Sequence, residues 1–293
     1  MTHMLQASST DWIRHPLLGS LETSLLNLRA RWPAPWPGLS MVFDRCWQRL
    51  GWNTQTPSVR VQALLSCAHD VAARIERDGR ARQRRDAEPQ YHNRLHIADT
   101  LVCMTHLLLA HRETQPTGSP AQIQECLALL VMLGHDYLHN GKVNRFPAEL
   151  ESIAVAQLQP IMQRHGVSRQ DQAVVRHCIL KTDPSGVKQS HALIAGRSFG
   201  LSDRDCLAVL VEEADILAST LMVTSDGLTR SLSKEWESSN PAMAQGLLKP
   251  ASRVYFLENA ALFSSPAATL LGIPVLKQGE VDAVRREMAS ASA

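Results

Sequence analysis

The sequence predicts an all-α protein. Nearly every segment spaces its apolar residues as one face of a helix does, whereas the alternation typical of a half-buried strand is scarce. Helix signals also recur along the chain, with a capping side chain and a proline where a helix starts and a glycine where one ends. These two observations predict a single compact multi-helix domain for most of the 293 residues.

Proline defines the first boundaries. The stretch WPAPWPG, residues 32–38, is predicted to be a loop because closely spaced prolines prevent a continuous helix. Thr56-Pro57 then supplies an N-cap and a proline at the first helical position, which predicts a helix ending near Gly79. Residues 1–60 are therefore predicted to be a helical lead-in that packs on the rest of the chain.

Further helix signals organise the main domain, residues 61–275. Ser119-Pro120 repeats the starting signal before the apolar run CLALLVML, residues 126–133. Another helix is predicted to begin near Pro147 and to end at Gly166, and Ser202 is predicted to open a further one. Residues 276–293 are expected to be a frayed C-terminal tail.

Composition limits the possible partners. Hydrophobic residues make up 44% of the chain and charged residues 20%, which is typical of a globular protein. The formal net charge of +2 predicts no general attraction to nucleic acid or to an anionic membrane. The N-terminus lacks the pattern of a secretion signal, and no apolar run approaches the ~20 residues that span a bilayer. The six scattered cysteines predict reduced core thiols and a cytoplasmic location.

Histidine and aspartate cluster in three motifs. In YHNRLHIADTL, residues 91–101, His92 and His96 are four residues apart and therefore project from one face of a helix. The motif HDYLHNGKVN, residues 135–144, follows directly on the apolar run, and VEEADILAST, residues 211–220, places Asp215 within an apolar helix. Burying such groups without partners costs several kcal/mol, so a compensating ion is expected.

Two imidazoles and two carboxylates from these motifs form a mixed nitrogen and oxygen donor set. Such a set suits Zn²⁺, Mn²⁺ or Fe²⁺, and its hard carboxylate oxygens also allow Mg²⁺ nearby. One carboxylate can bridge two cations about 3.5–4 Å apart, and Asp136 is the candidate for this role.

The motifs resemble those of a known family. YHNRLHIADT is similar to the HNxxHAxDV signature of class I 3′,5′-cyclic nucleotide phosphodiesterases, which belong to the HD-domain metal-dependent phosphohydrolases. HDYLHNGKVN resembles the HDxxHxGxxN signature, ILKTDPSGVKQSH the family's TD-containing segment, and EEADILAST its ADIS-type motif. The resemblance covers residues 90–266 and implies an HD-domain/phosphodiesterase-like fold.

The resemblance implies a binuclear site in which His92 is the general acid. Four residues would hold the tighter ion, Zn²⁺ or Fe²⁺/Mn²⁺: His96, His135, Asp136 and Asp215. Asp136 would also reach a second, more hydrated ion, Mg²⁺ or Mn²⁺. Three further residues would surround that second ion and its waters: His139, Asn144 and Asp183.

The predicted substrate contacts depart from the family pattern. ASRVYFLENAALFSSP, residues 251–266, resembles the segment in which a glutamine reads the purine and a phenylalanine stacks on it. Phe256 keeps the aromatic position, but Arg253 replaces the glutamine, and a guanidinium only donates hydrogen bonds. Arg253 would suit guanine or an additional phosphate, unless the alignment slips and Arg253 is a surface residue. The substrate-binding prediction comprises Phe256, Arg253 and Tyr91.

The function predicted first is hydrolysis of a 3′,5′-cyclic nucleotide to the nucleoside monophosphate, by a water that two cations activate and a histidine that protonates the leaving group. One alternative is an HD-type phosphohydrolase that acts on another nucleotide or phosphoester. The other is an inactive module that binds a nucleotide or a partner protein. The expected partner is a small-molecule nucleotide or phosphoester, with neither nucleic acid nor membrane, and the sequence leaves the oligomeric state open.

Overall fold

The structure, a computed structural model, describes residues 15–54, 56–115 and 121–291. These ranges contain 14 α-helices and no β-strand, which confirms the predicted all-α fold class. The first seven helices are α1 (Pro16–Arg29), α2 (Leu39–Arg49), α3 (Val59–Gln83), α4 (Arg94–Thr114), α5 (Gln122–Gly134), α6 (Glu149–Arg164) and α7 (Arg169–Lys181). The others are α8 (Val187–Ile194), α9 (Arg204–Thr220), α10 (Met222–Trp236), α11 (Pro241–Leu247), α12 (Pro250–Asn259), α13 (Pro266–Leu270) and α14 (Ile273–Ala291).

Several helices begin one to three residues after the predicted signals. Helix α3 is capped by Ser58, whose hydroxyl accepts a hydrogen bond from the N–H of Val61 at 3.3 Å. Helix α9 is capped by Asp203 and not by Ser202, because the Asp203 carboxylate accepts from the N–H of Asp205 at 2.9 Å. The starting signal Ser119-Pro120 lies outside the described residues.

The C-terminal segment differs from its prediction. Residues expected to fray belong to helix α14 as far as Ala291. The physical reason is burial: Val281 is 1% exposed and packs with Val254 and Leu257 of α12. Removing such side chains from water stabilises the helix by about 1.5–3 kcal/mol each.

Helix α4 lies in the middle of the fold. It packs against α1, α2, α5, α9 and α13. Apolar residues occupy every face of this helix, which is typical of a helix buried on all sides; Leu101 and Leu107, for example, are fully buried. The motifs HDYLHNGKVN and VEEADILAST therefore meet the first motif in the core, because α5 and α9 both pack on α4.

One buried ion pair joins the N-terminal helices to α4. Arg29 donates two hydrogen bonds to the fully buried carboxylate of Asp99, at 2.9 and 2.7 Å. Helices α1 and α2, which form part of the predicted lead-in, both pack on α4. Among the described helices, none combines the length and the apolarity that crossing a membrane requires. All six cysteines are buried and unpaired.

Candidate metal centre and active site

Three buried helices bring the predicted metal ligands together. Asn93 caps α4 by accepting from the N–H groups of Leu95 and His96, at 2.9 and 3.2 Å, and this fixes His96 in the first turn. His135 and Asp136 follow the last residue of α5, and Asp215 lies within α9. Helices α4, α5 and α9 pack on one another, so their polar side chains face a common point.

The distances between these groups are short. Nε2 of His96 lies 3.2 Å from Oδ2 of Asp136 and 3.2 Å from Oδ1 of Asp215. Nε2 of His135 lies 3.4 and 3.3 Å from the same two oxygens. The two Nε2 atoms are themselves 3.4 Å apart. Two nitrogens and two carboxylate oxygens thus converge within a few ångströms.

This donor set could hold a metal ion. One donor atom from each of His96, His135 and Asp215 lies within 4.8 Å of the other two. Nδ1 of His135 faces the carbonyl oxygen of Met132 at 2.9 Å and donates its hydrogen there, so Nε2 is the atom that a metal would bind after losing its proton. A neutral imidazole oriented in this way is the form of histidine that binds a metal.

The carboxylates of the cluster remain ionised. Burial alone would raise the pKa of Asp136, but the charge of His135 and the hydrogen bond from His96 hold it well below its usual value. For Asp215 burial likewise raises the pKa, and His135 and His96 together lower it further than burial raises it. Two negative charges therefore face the imidazoles, which is the charge distribution that a divalent cation requires.

A second cluster adjoins the first and orients His92. Oε1 of Glu235, on α10, lies 2.5 Å from Nδ1 of His92. Its Oε2 accepts from the N–H groups of Tyr91 and His92, at 2.7 and 2.9 Å. Burial would raise the pKa of Glu235, but the hydrogen bond and the charge of His92 lower it, so the carboxylate stays ionised.

Sequence reasoning missed Glu235. It lies 143 residues from His92 and belongs to no motif. One signal was present in the glycine of HDYLHNGKVN. Gly141 has a φ of +75°, and a Cβ there would lie 3.2 Å from Cγ of Glu235, so glycine is needed both for the turn and for this approach.

His139 stacks on the catalytic candidate. The rings of His92 and His139 have centroids 3.9 Å apart and an interplanar angle of 29°. Nδ1 of His139 accepts from the N–H of Gly141 at 3.0 Å. Burial, reinforced by the nearby His92, lowers the pKa of His139 to about 4. His139 is therefore a neutral neighbour of His92.

Both clusters border one cleft of about 560 Å³. Its lining includes the predicted residues Tyr91, Asn144 and Asp183. Tyr91 lays its ring on His96, with centroids 4.9 Å apart, and its hydroxyl lies 2.9 Å from Oγ of Ser219. Asp183 accepts from the N–H groups of Ala148 and Ser185, which ties it to the loop before α6.

Glu151 is a second cleft residue that the motifs did not indicate. It lies on α6, is 9% exposed and accepts from Nδ2 of Asn144 at 2.9 Å. Burial raises its pKa, and the charges of Asp183 and Asp136 add to that effect. The cleft is therefore acidic on the side next to Asp136. Acidic surroundings of this kind would suit a hydrated cation.

The structure does not bring Arg253 or Phe256 into the cleft lining. The guanidinium of Arg253 binds Glu280 at 2.7 and 2.9 Å and the carbonyl oxygens of Ser219 and Thr220 at 2.7 and 3.0 Å. Phe256 packs with the small cluster around Leu257. Arg253 thus joins α12 and α14 to the end of α9, and the prediction that it contacts substrate gains no support from its position.

The fold is similar to that of solved phosphodiesterase domains. The phosphodiesterase domain of the RhoPDE fusion protein from the choanoflagellate Salpingoeca rosetta has a TM-score of 0.59 and 18% identity, covering 86% of this chain and 89% of that chain. LmjPDEB1, solved in complex with IBMX, has a TM-score of 0.61 and 16% identity, covering 98% and 94%. The phosphodiesterase domain of Salpingoeca rosetta rhodopsin phosphodiesterase has a TM-score of 0.60 and 17% identity, with 100% of both chains covered.

No protein-family model and no curated protein sequence matches the chain. The similarity is therefore one of structure. The chain has the all-α fold of these solved phosphodiesterase domains, which is the fold that its motifs predicted.

Proposed function

We propose that this protein is a metal-dependent phosphodiesterase that hydrolyses a 3′,5′-cyclic nucleotide to the nucleoside monophosphate. The observation that carries the proposal is the convergence of His96, His135 and Asp215 beside the His92–Glu235 pair. A metal ion held by these ligands and a proton donor would thus face one cleft. The similarity to solved phosphodiesterase domains supports the same reaction class.

Four residues would hold the tighter ion, Zn²⁺ or Fe²⁺/Mn²⁺: His96, His135, Asp136 and Asp215. Asp136 would also face a second ion, Mg²⁺ or Mn²⁺, on the side of the cleft where Glu151 and Asp183 lie. Bound divalent cations acidify a water molecule and neutralise charge on the phosphoryl oxygens.

His92 would supply the proton that the leaving group needs. Its Nδ1–H is held by Glu235, so Nε2 is the atom available to the substrate. As the bond from phosphorus to the ribose oxygen breaks, the imidazolium Nε2–H transfers its proton to that oxygen. The ionised Glu235 stabilises the imidazolium beforehand and keeps Nδ1 protonated afterwards. Neutral His139, stacked on the ring, adds no competing positive charge.

The test combines a substrate panel with metal analysis. Purified protein with added Mn²⁺ is offered cyclic and linear nucleotides, and metal content per chain is measured by elemental analysis. Hydrolysis of at least one cyclic ester is expected, and His92→Ala should abolish turnover while the bound metal remains. Cleavage of linear esters alone would overturn the cyclic substrate. A metal-free, inactive wild-type protein would favour the binding module.

A second candidate is hydrolysis of another nucleotide or phosphoester, and one observation favours it. The cleft lining lacks the aromatic and base-reading positions of the 251–266 segment, and its rim instead carries Lys142 and Phe146, the latter 58% exposed. An open rim with a cation and an aromatic ring accepts bases with little discrimination. The same panel separates the two candidates by their relative rates.

A further inference from the structure

A second cavity lies on the other side of α4 from the candidate active site. Helices α1, α2 and α4 enclose about 360 Å³, and this cavity shares no lining residue with the cleft. We propose that it binds a small organic phosphate: a phosphate head held by arginines and an apolar or aromatic body held by the floor. This inference is independent of the reaction proposed above.

The mouth of the cavity is strongly cationic. Three arginines line it, Arg31 after α1 and Arg45 and Arg49 on α2, and none of the described lining residues is acidic. Three positive charges in one cavity exceed the net charge of +2 of the whole chain. Grouped guanidinium groups bind phosphate in a forked geometry that a single lysine does not provide.

Two of these arginines, Arg31 and Arg45, are free to bind an anion. No hydrogen bond or ion pair of the Arg31 or Arg45 side chain occurs within the part of the chain that the structure describes. Arg29, the last residue of α1, is by contrast paired with Asp99. A cluster of unpaired like charges is repulsive, so an anion between them would be stabilising.

The third arginine, Arg49, is held by a contact with α1. Nη2 of Arg49 donates to Oγ of Ser20 at 2.7 Å, and that oxygen lies 3.5 Å from Nε2 of His106. His106 is 1% exposed, lines the cavity, and donates through Nδ1 to the carbonyl of Val102 at 2.8 Å. This chain of contacts orients Arg49 at the mouth before any ligand arrives.

The floor is apolar. It is formed by Leu28 of α1, Val42 of α2 and Val102 of α4, each less than 10% exposed. Inorganic phosphate alone would leave this floor uncovered, whereas an ester with a hydrocarbon or aromatic body removes it from water. Head and floor together therefore select an organic phosphate over the free ion.

Isothermal titration calorimetry on the full chain tests the proposal. Three probes are used. Inorganic phosphate presents the anionic head alone, phenol presents the aromatic body alone, and phenyl phosphate presents both. They are titrated into wild type and into Asp215→Asn, so that phosphate binding at the metal centre is separated from binding at the cavity. Phenyl phosphate is expected to bind both proteins, more tightly than phosphate or phenol. Loss of its binding in Asp215→Asn, or equal binding of phosphate, would overturn the proposal.

Charge variants locate the site. Arg45→Gln and Arg31→Gln, made in the Asp215→Asn chain, should each weaken phenyl phosphate binding about ten-fold or more, since each removes a charge-assisted contact. Arg286→Gln removes an exposed arginine of α14 and should change nothing. Unchanged binding in the two cavity variants, or an equal loss in the control, would contradict the inference.

Titration of adenosine 5′-monophosphate and of octyl phosphate then identifies whether the preferred body is a nucleoside or an alkyl chain.

Discussion

The carboxylate of Glu235 lies 2.5 Å from Nδ1 of His92 although 143 residues separate them in the chain. This contact determines which ring nitrogen faces the cleft. The same carboxylate also binds the backbone N–H groups of Tyr91 and His92, so it positions the whole residue as well as its ring. Glu235 is therefore a positioning residue for the proposed proton donor.

Glu235→Gln should lower kcat about 10–100-fold, with KM and metal content nearly unchanged. The amide cannot stabilise an imidazolium as a carboxylate does, and its NH₂ group would face one of the two backbone donors. Steady-state kinetics with elemental analysis measure both effects. Glu237→Gln, the same change at an exposed position two residues on, is the control. Loss of metal together with activity would contradict a positioning role.

Asp215→Asn should release the tighter ion. It replaces a carboxylate that lies 3.2 and 3.3 Å from the two imidazoles and leaves the site with one less negative charge. We expect metal affinity to fall by at least about 10-fold and activity to fall with it. Asp226→Asn, on the exposed side of α10, should leave metal content per chain unchanged. Retention of full metal content in Asp215→Asn would remove Asp215 from the ligand set.

Arg29→Ala should destabilise the fold strongly, because it leaves the buried charge of Asp99 without its partner. Removing one member of a buried pair costs about 3–5 kcal/mol in the free energy of unfolding. The exposed pair Arg230–Asp226 offers a comparison, since Arg230→Ala should cost no more than about 1 kcal/mol. Urea unfolding measures both. Similar losses in the two variants would mean that the buried pair contributes no more to stability than the exposed pair does.

Arg253→Gln should reduce stability without altering base preference. The change removes the pairing with Glu280 and the bonds to the carbonyl oxygens at the end of α9, at a cost of about 1–3 kcal/mol. Arg285→Gln, in the more exposed pair with Glu258, is the matched control. Thermal unfolding gives the stability, and the ratio of kcat/KM for adenine and guanine cyclic esters gives the preference. A shift in that ratio would indicate that Arg253 contacts the substrate after all.

Glu212→Gln should change how stability depends on pH. Glu212 is 2% exposed, with Nε2 of His191 3.4 Å away, and burial raises its pKa from 4.5 to about 8. Between these values the folded protein keeps a proton that the unfolded chain releases, so the free energy of unfolding falls as pH rises. The loss begins above the unfolded pKa and is complete, at a few kcal/mol, once pH exceeds the folded pKa.

Glutamine does not ionise, so the Glu212→Gln variant should not lose stability in this way. Its free energy of unfolding relative to wild type should therefore increase from about pH 5 to about pH 8. Urea unfolding at several pH values across this window provides the measurement. Glu287→Gln, at an exposed position of α14, should show a constant difference. A flat difference for Glu212→Gln as well would mean that this carboxyl titrates normally.

Local spacing was sufficient to predict much of the candidate site. The sequence correctly predicted that His92 and His96 lie close together, with ring centroids 5.8 Å apart, but His92 precedes the Asn93 cap and does not lie on a face of α4 as predicted. His135-Asp136 follows an apolar run whose burial carries it into the core. Glu235, Glu151 and the pairing of Arg253 were not predictable in this way. Each depends on which distant helix packs nearby, and a lone carboxylate or arginine in a polar segment carries no periodicity that reveals its partner.

Asn93 connects the proposed proton donor His92 to the proposed metal ligand His96. It accepts from the amides of Leu95 and His96 and donates to the carbonyl oxygens of Pro89 and Gln90, so His92 lies between two parts of one rigid cap. A substitution that disturbs this cap should therefore displace both histidines together. Evolution toward new substrates is therefore expected to alter the part of the cleft lined by Lys142, Val143 and Phe146, which lies outside this cap.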